Sequence, residues 1–161
     1  MNQLKIFYPL FTWADNPVLK KKSKKIVRFD DEIQEFAETL VALMYAYDGV
    51  GLAASQIGNN IQMIAVTEHK NNKRGEILRA YVLVNPEIIE KSPTTVLWEE
   101  ACLSLPGMTG KVKRYQRIKV RFFDPWGKQH IKKVSGFNAR IIQHELDHLE
   151  GVLFVEKVVK K

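Results

Sequence analysis

Gln143-His144-Glu145-Leu146-Asp147-His148-Leu149-Glu150-Gly151 is the stretch around which the chain is read. Two histidines four apart on a helix stand one above the other, so their imidazoles can converge on one divalent ion. The glutamate after the first histidine can then act as general base toward a water activated by that ion. The surrounding residues suit a helix. Ser135 or Asn138 can cap its start, residues 139–149 contain no proline, and Gly151 stands where a glycine stop belongs. Positions 142, 146 and 149 form an apolar stripe, and 137, 141, 144 and 148 form a neighbouring one that carries both histidines. The plain alternative is a core helix with two hydrogen-bonded histidines.

A histidine pair needs a third ligand. Glu150 stands at the helix end and points away from the stripe, and Glu156 would have to fold straight back after the apolar run 152–155. His69 and His130 sit in polar stretches and read as surface residues. That leaves Cys102, the only cysteine, whose other reading is a small buried hydrophobe. Two imidazoles, one thiolate and an open fourth position make a chemically sensible catalytic site.

Composition places this centre in an ordinary folded domain. The chain has 161 residues, 45% hydrophobic and 27% charged, which suits one globular domain over 1–161. No apolar run approaches the roughly 20 residues of a membrane span, and no signal peptide is visible. A single cysteine excludes an internal disulfide and fits a reducing compartment, so a cytoplasmic protein is expected, with no membrane partner. The net charge of +7 has its densest cluster at Lys20–Lys25. A second basic run, Lys111, Lys113, Arg114, Arg117, Lys119 and Arg121, reads as the exposed face of a strand.

In chain order, residues 1–29 read as irregular. Asp30 or Asp31 caps a helix with Ile33, Phe36, Leu40, Leu43, Met44 and Tyr47 on its apolar face, closed by Gly49. Gly49 and Gly51 flank Val50, which implies a backbone that is approached closely or takes positive φ. A helical turn follows at 53–57, strands at 61–67 and 81–84, an exposed loop at 68–76 and a bend at Asn85-Pro86. Residues 94–105 read as one extended segment, and 118–123 with 131–134 as a hairpin around Asp124-Pro125-Trp126-Gly127. The expectation is an α+β domain with antiparallel strands packed around a central metal-binding helix.

Three segments, taken together, resemble the motifs of the peptide deformylase family in order and spacing. They are Gly49-Val50-Gly51-Leu52-Ala53-Ala54-Ser55-Gln56, Glu100-Ala101-Cys102-Leu103-Ser104 and His144-Glu145-Leu146-Asp147-His148. The resemblance runs from about Pro17 to Phe154, and Ala101 departs from it where a glycine is usual. It implies an enzyme that removes the N-formyl group from the starting methionine of new polypeptides, releasing formate. It further implies Cys102, His144 and His148 as metal ligands and Glu145 as general base. Gln56 and the Leu103 backbone N–H would hold the oxyanion. The implied metal is ferrous iron, with zinc, nickel or cobalt able to substitute. Glu100 and Asp147 are candidates for holding the histidines. Gly49, Val50 and Gly51 could receive the peptide as an added strand. Phe137 and Ile141, seven and three residues before His144, either fill the core or line an apolar pocket for the methionine side chain.

The partners implied are formylated nascent chains. Relatives with a C-terminal helix use it for ribosome contact; the sequence stops at Lys161, and surface lysines such as Lys20–Lys25 are expected to substitute weakly. No specific DNA partner is expected. Two other classes compete: a metallopeptidase built on the same His-Glu-x-x-His helix, and a basic RNA-binding module with an inert site.

Overall fold

The computed structural model describes residues 9–160. Helix α1 spans Asp31–Ala46, and the Asp30 side chain accepts the N–H of Ile33 at its start. Its inward positions, Ala37, Leu40 and Met44, are buried. Seven strands follow: β1 Gly51–Ala53, β2 Met63–His69, β3 Ile77–Lys91, β4 Thr95–Cys102, β5 Leu105–Tyr115, β6 Arg117–Phe123 and β7 Gln129–Ser135. Helix α2, Gly136–Leu149, comes directly after β7.

All the pairings among these strands are antiparallel, in one sheet of order β1-β2-β3-β6-β7 and a separate β4-β5 hairpin. Strand alternation explains why a helix lies on each face of the larger sheet. Met63 and Ala65 join the α1 residues Leu40 and Met44, while Ile64 and Val66 join Ile141, Ile142 and Leu149 of α2. Burying a side chain such as Ile142 or Leu149 contributes about 1.5–3 kcal/mol. A third cluster, including Leu19, Cys102, Leu105, Val112 and Phe154, roots the β4-β5 hairpin beside the end of α2. The fold is therefore α+β, with α2 packed between the sheet and the hairpin. Among the described residues no helix is long and apolar enough to cross a membrane.

Several expectations shift. Helix α2 starts at Gly136; Ser135 takes the N-cap backbone position but makes no side-chain cap bond. Asn138 instead bonds the backbone N–H and carbonyl of His69. Strand β3 does not end at Asn85-Pro86. It continues to Lys91 through a register shift, with Asn85 at φ 49° and its amide pairing both backbone groups of Ile26. The segment 94–105 is not one extended piece, because the chain reverses at 103–104 and returns as β5. His69, read as a surface residue, is buried: its ring packs edge-on to Phe137 at 4.8 Å and bonds the Thr67 hydroxyl and the Gly75 carbonyl. His130 does lie near the surface, paired with Asp124.

Candidate metal centre

The last residue of β4 is Cys102, and α2 crosses it with His144 and His148 on one face. The sulfur lies 3.3 Å from His148 Nε2, and the three ligand atoms all fall within 4.8 Å of one another. The two imidazoles are 5.1 Å apart and inclined by 70°. Glu150 and Glu156 turn outward to pair with Lys22 and Lys20. A cysteine thiolate and two histidines fit a divalent metal of borderline softness, and this set could hold one.

Buried charges beside the cluster fix its protons. Glu100 Oε2 accepts from His144 Nδ1 at 2.9 Å, which turns the other ring nitrogen toward the cluster. Arg114 Nε and Nη2 fork onto the same carboxylate at 2.7 and 2.9 Å, and Nη1 reaches Asp147 Oδ2 at 2.6 Å. Burial alone would raise Glu100, but Arg114 and His144 hold it down at about 2, so it stays anionic. Burial also opposes a charge on His144; the Cys102 sulfur and Glu100 overcome this and lift it to about 10. His148 is pushed well below its usual value by burial, then by the His144 charge, and so offers a neutral lone pair. Its Nδ1 is buried with no hydrogen-bond partner among the described residues.

Glu145 is buried beneath β1, with Oε2 lacking a partner among the described residues. Burial is the main reason its carboxyl is pushed up to about 7. A group at that value can take and return a proton near neutral pH. Glycine at 51 is dictated by this contact, because a Cβ there would sit 2.8 Å from Glu145 Cδ. At Gly49 a Cβ would meet the Leu103 side chain at the same distance. Close approach, and not positive φ, is thus what both glycines serve.

Gln56 is buried in a 3-10 turn over Ala54–Ile57. Its Oε1 accepts the Ala53 N–H at 2.9 Å; its Nε2 donates to Ser104 Oγ at 3.0 Å and lies 3.7 Å from the sulfur. Gln56, Val50, Leu103, Phe137 and Ile141 share a cleft of about 550 Å³ with Cys102, His144 and Glu145. Strand β1 is the end strand of its sheet, and among the described residues no further strand pairs with it.

Sequence reasoning missed two residues here. Arg114 was read as part of an exposed basic face, yet it is 4% exposed. In β5 it shares a face with Val112, not with Lys111 and Lys113, and that alternation was legible. Arg140, which also lines the cleft, follows the metal face at one helical turn before His144.

The polypeptide deformylase family model matches residues 9–161. The chain belongs to the peptide deformylase family. A peptide deformylase of Brucella suis is 40% identical over 152 residues, covering 94% of this chain and 85% of the relative. A probable peptide deformylase from Synechococcus phage S-SSM7 superposes with a TM-score of 0.83 at 41% identity, covering 94% and 99% of the two chains. The class I type b peptide deformylase of Acinetobacter baumannii, solved with Met-Ala-Ser bound, gives a TM-score of 0.87 at 33% identity over 95% and 99%. Within a deformylase, the cluster of Cys102, His144 and His148 is where the family's divalent metal would be held.

Proposed function

We propose that this chain is a metal-dependent deformylase that hydrolyses the N-formyl group from the starting methionine of new polypeptides, releasing formate. The observation that carries this is a buried cluster of one cysteine and two histidines with a raised carboxyl, Glu145, beside it in a chain of this family. The Acinetobacter enzyme was solved with Met-Ala-Ser bound, the peptide that loss of formate from formyl-Met-Ala-Ser would leave.

Cys102, His144 and His148 would hold the metal, ferrous iron by family, with zinc, nickel or cobalt able to substitute. When bound, the ion would supply Lewis acidity and make water easier to deprotonate. Glu145 takes the proton of the attacking water, and oxygen adds to the formyl carbon. Gln56 Nε2 and the Leu103 N–H then donate to the oxyanion that develops. One donor of this kind is worth about 3 kcal/mol of barrier. As the carbon–nitrogen bond breaks, Glu145 returns its proton to the leaving amine.

The end position of β1 and the lining of the cleft by Gly49, Val50 and Gly51 support strand addition of an extended peptide along these residues, through main-chain bonds that tolerate any sequence. Phe137 and Ile141, both buried at the cleft, support an apolar pocket for methionine, where each buried methylene contributes about 0.8 kcal/mol. We place the enzyme in the cytoplasm, in weak contact with ribosomes through its basic surface. The test is formate release from formyl-Met-Ala-Ser by anaerobically prepared protein with its metal quantified. Formate should appear in step with metal content. Cleavage of the Ala–Ser bond without formate would instead mark a metallopeptidase.

A further inference from the structure

Arg140 stands on α2 one turn before His144, and its side chain lines the cleft. Its guanidinium carbon is 4.6 Å from the centre of the Phe137 ring and 4.9 Å from that of Trp98. Nη1 donates to the Glu99 carbonyl at 3.2 Å. Two aromatic faces and a backbone oxygen therefore position this cation, and no carboxylate lies within ion-pair distance of it among the described residues. Arg114, on the next hairpin strand, has two carboxylates by contrast. Arg74 reaches the same cleft from the loop between β2 and β3. It too lacks an ion pair among the described residues, and it is exposed. Its loop is held by the bond between His69 Nδ1 and the Gly75 carbonyl and by the Lys70 N–H on the Glu76 carbonyl. Asp48 and Glu99 also border the cleft, but neither comes within ion-pair distance of these arginines. Glu100 is already taken up by Arg114 and His144.

We propose that Arg140 and Arg74 form a cationic rim that selects formylated chains with an acidic side chain in the two residues after methionine. This rests on the deformylase reading above. A half-buried guanidinium held only by neutral groups gains from an incoming carboxylate, and the planar fork of arginine suits two-point binding of one. Burial pushes Arg140 below its usual value; the charge of Glu100 opposes this, and those of Arg74 and Arg114 add to it. Phe137 connects the rim to the pocket, since one ring packs under Arg140 and lines the site proposed for methionine. A chain seated there runs out past the rim, where it would meet both arginines.

The test compares formyl-Met tripeptides with Glu, Gln or Lys at the second and at the third residue. The peptides are amidated at the C-terminus, so that no terminal carboxylate competes for the rim. For the wild-type enzyme at low salt, kcat/KM should favour Glu over Lys by about tenfold or more at one of the two positions, as a charge-assisted pair gives. Salt should shrink the ratio. Arg140→Gln and Arg74→Gln should each lower it, the double variant should bring it near one, and Arg140→Glu should reverse it. Because the ratio is internal to each protein, a general loss of activity does not obscure it. A wild-type ratio of one at both positions, or a preference that survives in the double variant, would overturn the rim while leaving deformylation intact. Failure to release formate from every peptide, the Gln series included, would overturn the deformylase reading and this inference with it.

Discussion

Gly51 and Glu145 are bound to each other by the space they share. The carboxylate rests where a methyl group on residue 51 would have to go. Gly51→Ala should therefore move Glu145 without touching a metal ligand. The expected result is a fall in kcat with unchanged metal per chain. Glu145→Gln sets the scale, because it keeps the shape and loses the proton acceptor; we expect kcat to drop by about 10²–10⁴. Normal turnover by a fully metallated Gly51→Ala protein would show that Glu145 need not stay where it lies. At this scale the sequence was informative about which side chains the fold brings together, since one cysteine and one helical histidine pair left few choices. It was silent on His69. Its burial is set by Asn138 and Phe137, far along the chain, and its polar neighbours gave no hint of them.

The β4-β5 hairpin carries Cys102, and α2 carries His144 and His148, so the cluster depends on how these elements meet. Their join is Arg114, which ties Glu100 of β4 to Asp147 of α2 from a buried position in β5. Removing one partner from such a group leaves buried charge uncompensated, at a cost of about 3–5 kcal/mol. Arg114→Met should thus lower the unfolding free energy by that order. It should also weaken metal retention, because Glu100 no longer fixes the His144 ring. Thermal unfolding with and without a chelator checks both. A variant as stable as wild type that keeps its metal would remove Arg114 from this role. Both helices were legible from apolar spacing and glycine stops. Strand β5 was legible only in part, through its exposed lysines, since most of its side chains, including Pro106, Met108 and Lys111, face water, and only Leu105, Val112 and Arg114 are buried on its inner side. The period-two signal was present, but charge on Arg114 disguised the inward face.

Across the whole molecule, the net charge of +7 overstates what the Lys20–Lys25 segment can offer a polyanion. Lys20 and Lys22 are already paired with Glu156 and Glu150. Ser23 is buried, and its N–H donates to the Leu149 carbonyl, while the Lys24 backbone bonds Asn60 and Gln62. The segment is therefore pinned in extended form against the end of α2, with Lys21, Lys24 and Lys25 left exposed. None of this was visible in a run of lysines, because pairing and anchoring come from residues distant in sequence. If this surface meets ribosomal RNA, about three phosphates are engaged, and each contributes a slope of roughly 0.7–0.9 in log K against log salt. The contact should then be weak and steeply lost between low and physiological salt. Co-sedimentation with ribosomes should appear at low salt and fade as salt rises. The triple change Lys21→Gln, Lys24→Gln and Lys25→Gln should abolish most of it while formate release from short peptides stays unchanged. Equal sedimentation of the triple variant and the parent would assign the contact to another face of the molecule. No sedimentation of the parent at low salt would remove the ribosome from its partners.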